Sequence, residues 1–161
     1  MKKQKLSLRS KEPILYENTS PSRINVNTFL SSFSRYAEEN YCGALTVDFP
    51  AGAEGFLYVT LSKTARLIKM LLSKIFGMGL IKATAEIDDG KFYLHFDMPD
   101  NLPIDLKFLA ELSKAAEKAD FWIKLDNCRV TLYAKHHISY RHTLYASDSP
   151  YEPFYDALCA F

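Results

Sequence analysis

The sequence has few cysteines and no long apolar run. Its three cysteines, Cys42, Cys128 and Cys159, lie far apart and form no C-x-x-C pair. This odd, scattered set argues against a disulfide framework and a zinc site and is typical of a reducing compartment, so we expect a cytoplasmic protein. No segment approaches the ~20 consecutive apolar residues of a membrane-spanning helix. The basic N-terminus is not followed by the apolar stretch of a secretory signal.

An excess of one charge is also missing. The formal net charge is +1 over 161 residues, so no global field attracts nucleic acid or anionic lipid. Residues 1–23 are the local exception, and we interpret them as a flexible, solvated basic arm. We therefore do not expect a nucleic-acid partner. The cations of this arm are Lys2, Lys3, Lys5, Arg9 and Lys11.

Motifs of catalysis and metal binding are absent as well. The sequence contains no Gly-x-Ser-x-Gly, Walker A or Rossmann pattern. Adjacent His136 and His137 would point to opposite faces of a strand, which suits a strand-end role better than a shared metal ion. His95 and Asp97 share a strand face and could form an acid–base dyad, but we favour a hydrogen-bonded polar pair. We predict no catalytic residue and no metal site.

What is present is a clear succession of helices and strands. Apolar residues at three- and four-residue spacing predict three helices. The first begins after a cap at Asn25 or Asn27. The second spans 61–76 with Ser62 as its cap, and the third spans about 104–119. In the third helix we expect Leu106, Leu109, Ala110 and Leu112 among the buried positions.

Alternating patterns predict six strands, four of them in two hairpins. The hairpin turns are Asp88-Asp-Gly90 and Asp126-Asn127. Hairpins grouped between helices imply a mixed, mostly antiparallel sheet with helices on one face. We therefore predict an α/β (α+β) two-layer sandwich for residues 24–137, followed by an aromatic tail over 138–161. The strands are predicted at 44–49, 56–60, 80–87, 91–96, 121–125 and 129–134.

This order resembles the ATP-binding domain of sensor histidine kinases and their relatives, the GHKL or Bergerat-fold ATPases. The segment LSKTARLIKMLLSKIFG, residues 61–77, looks like the family's N-box helix. The segment KFYLHFDMPDNLPIDL, residues 91–106, looks like the strand and loop that carry its Asp-x-Gly-x-Gly motif. The resemblance covers about residues 24–135 and implies a histidine-kinase-like ATPase fold.

The chemistry of that family is missing at the matching positions. The Asn that would hold the magnesium ion falls on Lys74, whose ammonium repels a cation, and a polar position one turn earlier falls on Met70. Asp97 matches the adenine-binding Asp, but the two following glycines fall on Pro99 and Asn101. Proline fixes φ and removes a donor, so the backbone path beside the nucleotide changes. The resemblance thus implies a pseudo-ATPase with Asp97 as a vestige of the adenine site and no ATP or magnesium cofactor.

Two surfaces are candidates for partner binding. The charged residues on the solvent-facing side of the second helix are all cations, which suits an acidic partner or a phosphate. The aromatic tail either packs on its own domain, which we favour for part of it, or docks on another protein. We assign partner contacts to Lys63, Arg66, Lys69, Tyr151, Phe154 and Tyr155.

We therefore predict a non-catalytic regulatory or protein-binding module of bacterial signalling. Its partner would be another protein, such as a signalling kinase or regulator. Two alternatives remain open. One is a nucleotide-binding ATPase or kinase-like enzyme with an atypical site around Asp97. The other is a nucleic-acid-binding protein that uses the basic arm and helix 61–76.

Overall fold

A computed structural model describes residues 22–77, 79–99, 105–138 and 153–160. Within these residues a layer of helices covers one face of a five-stranded sheet, and a two-stranded sheet lies beside it. The predicted two-layer α/β sandwich is therefore confirmed. Most of the basic arm and Tyr151 lie outside the described residues.

The elements follow the order that the sequence predicts, with one added strand at the start and one added helix at the end. In chain order they are β1 (Ser22–Asn25), α1 (Val26–Asn40), β2 (Leu45–Asp48), β3 (Phe56–Val59), α2 (Leu61–Ile75), β4 (Ile81–Asp88), β5 (Lys91–Asp97), α3 (Leu106–Lys118), β6 (Trp122–Leu125), β7 (Arg129–Lys135) and α4 (Pro153–Ala160).

The large sheet has the strand order β2-β4-β5-β7-β6, and only the β2–β4 pair is parallel. Both predicted hairpins form. The β4–β5 connection has two loop residues, Asp89 with φ 50° and Gly90 with φ 73°. Left-handed conformation at both positions defines the tight turn whose twist matches the flanking strands, and Asp-Gly is a preferred sequence for it.

Polar side chains fix the helix starts. The Asn25 carboxamide accepts hydrogen bonds from the backbone N–H groups of Asn27 and Thr28, at 2.8 and 3.4 Å, so Asn25 is the cap of α1. The cap of α2 is Thr60, and the prediction of Ser62 is wrong. The Thr60 hydroxyl instead donates to a carboxylate oxygen of Asp120 at 3.2 Å.

The phase of α3 differs from the prediction. Leu106 is 83% exposed and Ala110 is exposed, whereas Leu112 and Ala116 are buried. At 3.6 residues per turn, Ala110 lies about 160° around the helix from Leu112. When Leu112 faces the core, Ala110 therefore faces solvent.

Alternation along β5 assigns its two faces. Phe92, Leu94 and Phe96 are fully buried. Phe92 meets the ring of Phe29 on α1 edge-on at 5.6 Å, so this face of β5 lies under the helices. Successive side chains of a strand point to opposite faces. The odd-numbered residues of β5 consequently lie on the other face, which we call the open face; they are Lys91, Tyr93, His95 and Asp97.

Part of the predicted aromatic tail belongs to the domain. Helix α4 packs on α1 and α2. Phe154 is fully buried, and its ring stacks on that of Phe29 at 4.4 Å. The assignment of Phe154 as a partner contact is therefore corrected, because its side chain lies in the core.

Among the described residues, no helix combines the length and the apolarity needed to cross a bilayer.

Replacing Gly90 with Ala should destabilise the protein. A Cβ at Gly90 would have no atom within 4 Å, so the substitution adds only the cost of a left-handed backbone for an L residue. That cost is ~1–2 kcal/mol, measurable as a lower free energy of unfolding in urea. Asp89→Asn is the control and should be neutral, because Asn tolerates the same conformation. Equal stability of Gly90→Ala and wild type would contradict this turn.

Candidate functional site

Asp97 lies at the end of β5 and is held by an arginine. Arg129, its neighbour on β7, donates from Nε to one carboxylate oxygen at 2.6 Å and from Nη2 to the other at 3.1 Å. This two-point contact raises the pKa of Arg129 above its usual value, chiefly through the hydrogen bond to Asp97. Both oxygens of Asp97 are thus engaged on the open face.

The structure does not bring Asp97 together with the other residues of the predicted vestigial site. Met70 and Lys74 lie on α2, which covers the opposite face of the sheet. The Lys74 ammonium lies 5.1 Å from the ring centre of Phe108 on α3. Lys74 therefore makes a cation–π contact between α2 and α3.

The two residues that follow Asp97, Met98 and Pro99, each contact another loop of the domain. The Met98 N–H donates to the Cys128 carbonyl at 2.9 Å, and the Met98 side chain is buried. Pro99 then packs on Gly79, where an added Cβ would lie 3.0 Å from the proline ring. The first of the two expected glycine positions is thus occupied by a ring in contact with another loop. Asn101, the second, lies outside the described residues.

His95 does not pair with Asp97, so that prediction is wrong. The ring of His95 makes hydrogen bonds to the Thr131 hydroxyl at 2.8 Å and to a Glu86 oxygen at 2.9 Å. Residues i and i+2 of a strand are ~6.6 Å apart, whereas residues on adjacent strands are ~5 Å apart. His95 and Asp97 each bind across the sheet for this reason.

The two adjacent histidines connect the large sheet to β3. His136 Nε2 lies 2.7 Å from the Glu54 carbonyl oxygen. The backbone of His137 pairs with that of Phe56, and the rings of these two residues stack with their centres 5.4 Å apart. An added Cβ at Gly55 would lie 2.2 Å from the His136 ring, so only glycine fits there. The structure places both residues at a strand end.

A cationic cleft separates α2 and α3. It has a volume of about 230 Å³, below the ~300–1,000 Å³ of typical ligand pockets. Two of the predicted contact residues, Lys63 and Arg66, line it. Lys114 and Lys118 also line it and were not predicted, although their spacing of four residues places both on one face of α3. The lining residues are Lys63, Arg66, Met70, Glu111, Lys114, Ala115 and Lys118.

Lys69 and Tyr155, both predicted to contact a partner, make contacts within the domain. Lys69 Nζ donates to the Leu158 carbonyl at 2.9 Å and so binds the last turn of α4. The Tyr155 hydroxyl donates to Glu39, and the Arg35 guanidinium lies 4.0 Å from the centre of the Tyr155 ring. These contacts attach α4 to α1 and α2, so Lys69 and Tyr155 are intramolecular anchors.

The contact between α1 and α4 changes the pKa values of two side chains, and burial changes that of a third. The hydrogen bond from Tyr155 lowers the pKa of the exposed Glu39 carboxyl and raises that of the Tyr155 phenol. Burial raises the pKa of Tyr36, on the same helix α1, to about 12. The phenols of Tyr36 and Tyr155 therefore stay neutral at physiological pH.

Comparison with solved structures identifies the fold as that of histidine-kinase ATP-binding domains. The ATP-binding domain of PrrB from Mycobacterium tuberculosis is similar with a TM-score of 0.54 at 12% identity, over 74% of this chain and 98% of that one. The catalytic domain of the histidine kinase ThkA gives a TM-score of 0.52 at 12% identity, over 74% and 99%. No protein-family model and no curated protein matches the sequence. The predicted histidine-kinase-like GHKL fold is therefore confirmed.

Truncating Phe154 should detach α4 from the domain. Phe154→Ala removes a fully buried ring, and such changes cost ~3–5 kcal/mol. We expect this loss in the free energy of unfolding, measured in urea. The control is Tyr155→Phe, which removes only an exposed hydroxyl bond and should cost at most ~1 kcal/mol. A similar small loss for both variants would show that α4 is not docked here.

Proposed function

We propose that this domain is a non-catalytic, protein-binding regulator of bacterial signalling with a degenerate ATP site. The observation that carries the proposal is the position of Asp97. Its carboxylate lies on the open face and is bound at both oxygens by Arg129. The resemblance assigns Asp97 to the adenine-binding position, and Arg129 already occupies an acceptor site on each of its two oxygens.

The contact with Arg129 restrains Asp97. Charge-assisted, two-point contacts between arginine and carboxylate are among the stronger hydrogen bonds in proteins, and this one fixes the orientation of the Asp97 carboxylate on the open face. The next residue, Met98, is buried, so the core also holds the end of β5 in place.

The other two positions of the site also argue against a bound nucleotide. Magnesium needs hard oxygen ligands, and Lys74 offers an ammonium that already contacts the ring of Phe108. Pro99 stands where the resemblance places the first glycine, and its ring packs on Gly79.

The cationic cleft is the surface that we assign to a partner. It presents four cations against the single carboxylate of Glu111, while the whole chain carries a net charge of only +1. Its base includes the apolar side chains of Met70 and Ala115. Carboxylate side chains on a partner helix or loop match this mixture of positive rim and apolar base.

The fold suggests which partners to test first. Two similar solved structures with TM-scores above 0.5 are the ATP-binding domain of PrrB and the catalytic domain of the histidine kinase ThkA. We propose that the partner is a cytoplasmic signalling kinase or regulator with an acidic surface. This domain would act by occupying that surface, without phosphoryl transfer.

Magnesium and ATP should leave the melting temperature unchanged within about 1 °C. A ligand present at 100 times its dissociation constant, for example ~5 mM ATP with a Kd of ~50 µM, stabilises the folded state by ~2.7 kcal/mol. That would raise the melting temperature of a domain of this size by about 5–10 °C, measured by differential scanning fluorimetry.

Asp97→Asn is the matched variant for this measurement. It should melt at a lower temperature, because it weakens the contact with Arg129, and it should respond to ATP as wild type does. A shift of several degrees in wild type that disappears in Asp97→Asn would establish the nucleotide-binding alternative and refute the proposal.

Reversing two charges of the cleft should abolish partner binding. We expect Lys63→Glu with Arg66→Glu to reduce co-purification of the signalling partner at least 10-fold, because two attractive contacts become repulsive. The matched control is Lys124→Glu with Lys135→Glu, which makes the same charge change on the open face and should retain the partner. Retention by both variants would remove the cleft from the interface. Retention of an oligonucleotide with steep salt dependence would favour the nucleic-acid alternative instead.

A further inference from the structure

The open face of the sheet carries a row of aromatic side chains. The rings of Tyr93, Tyr133 and Trp122 follow one another across β5, β7 and β6, with centres 5.7 and 5.6 Å apart. Trp122 is 50% exposed, and it is the only tryptophan of the chain. Tyrosine and tryptophan are enriched at the energetic centres of protein interfaces, so this row is a candidate docking centre.

Charges on the open face are divided between its two halves. The strands of the β7–β6 half carry the cations Lys124, Arg129 and Lys135 on this face and no acid, and the nearest carboxylate of this half is Asp126 in the turn between them. The β2–β4 half carries one cation, Lys82, against three carboxylates, and β5 lies between the halves. The face is therefore positive on one side and negative on the other. The three carboxylates are Asp48, Glu86 and Asp88.

We propose that this face binds the same face of a second copy of the chain in a symmetric dimer. A two-fold axis that lies in the interface and runs along β5 places β7 over the partner's β4 and β6 over the partner's β2. The positive half of each subunit then covers the negative half of the other. Such a surface is complementary to itself, as an isologous interface requires.

The register of the sheet supports this pairing at single residues. One row of paired residues crosses the sheet from Asp48 at one edge to Lys124 at the other. The pairs of this row are Asp48–Thr84, Thr84–His95, His95–Thr131 and Lys124–Thr131. Rotation about β5 therefore brings Lys124 over the partner's Asp48.

A second row gives the same result. Asp88 and Lys135 both pair with Lys91, on either side of it. The rotation thus brings Lys135 over the partner's Asp88, while the two Lys91 side chains lie at the end of the sheet, where they extend into water.

The remaining charges of the face have partners within one subunit. The rotation brings Arg129 over the Lys82 of the second copy, but Arg129 is bound to Asp97. Lys82 lies 3.9 Å from Asp48, whose carboxylate would be shared with the Lys124 of the second copy. Glu86 accepts from His95 at 2.9 Å. The contacts between subunits would then come from the two lysine–aspartate pairs and from the aromatic row, in which Tyr93 lies at the two-fold axis and Tyr133 lies over the Glu86 of the second copy.

The area of the open face limits the expected affinity of the dimer. Five strands spaced ~4.8 Å apart and about six residues long give a face of about 500 Å², or about 1,000 Å² for both subunits. This is the lower limit for a specific interface, so we expect a dissociation constant on the order of micromolar.

Sedimentation velocity of the full chain tests the proposal. From about 1 to 300 µM at low salt, we expect the mass to rise from 18.4 kDa towards twice that value. High salt should weaken the dimer about 10-fold, because its charge pairs are solvent-accessible. The emission of Trp122 should shift over the same concentrations.

Two complementary variants identify the surface. Lys124→Glu with Lys135→Glu makes the face acidic, and Asp48→Lys with Asp88→Lys makes it basic. Each variant alone should be monomeric, and an equimolar mixture should form a heterodimer at least as tight as the wild-type dimer. The mixture also shows that both variants fold.

Several results would overturn the proposal. Wild type that stays monomeric at about 300 µM is one, and a mixture that fails to dimerise is another. Loss of the dimer in Lys63→Glu with Arg66→Glu would place the interface at the cationic cleft. A monomer whose Trp122 emission changes when residues 1–21 are removed would show that the arm covers this face. The dimer does not depend on the proposed function, since the two pairs of substitutions test different surfaces.

Discussion

The aromatic rings around Phe29 connect helix α1 to the large sheet and to helix α4. The Phe29 ring meets Phe92 of the sheet edge-on at 5.6 Å, stacks on Phe154 of α4 at 4.4 Å and lies 6.5 Å from Phe121, which precedes β6. Aromatic side chains bury large areas, and edge-on or stacked pairs add ~0.5–1.5 kcal/mol beyond that burial. This cluster fixes α1 over β5 and decides which face of the strand the helices cover.

The orientation of Asp97 follows from that choice. Because the helices cover Phe96, the next residue of the strand must point to the opposite face, and Arg129 meets it there. The degenerate site that we propose therefore has two physical origins. One is the replacement of a metal-binding Asn by Lys74 and of a glycine by Pro99, and the other is the alternation of side chains along β5, which directs Asp97 towards Arg129.

The cationic cleft and the open face differ in their pattern of charge, and this difference separates their proposed roles. The cationic cleft has one dominant sign and a concave shape, which suits an acidic partner. The open face has both signs in separate halves and an aromatic row that runs from its central strand to one edge, which suits a copy of itself. Helix α4 lies apart from the open face, on α1 and α2, where Lys69 and Phe154 hold it.

The sequence by itself determined the local structure and, through it, the class of fold. The Asp89-Gly90 turn, the cap at Asn25 and the periodicity of α1 and α2 depend on residues a few positions apart, so their patterns are readable in the chain. Tertiary structure alone decided the partners of distant side chains. Lys69 binds Leu158, 89 residues away, and His95 binds Thr131, 36 residues away. The phase of α3 and the burial of Phe154 were decided in the same way, because packing between elements selects which of several apolar faces is buried.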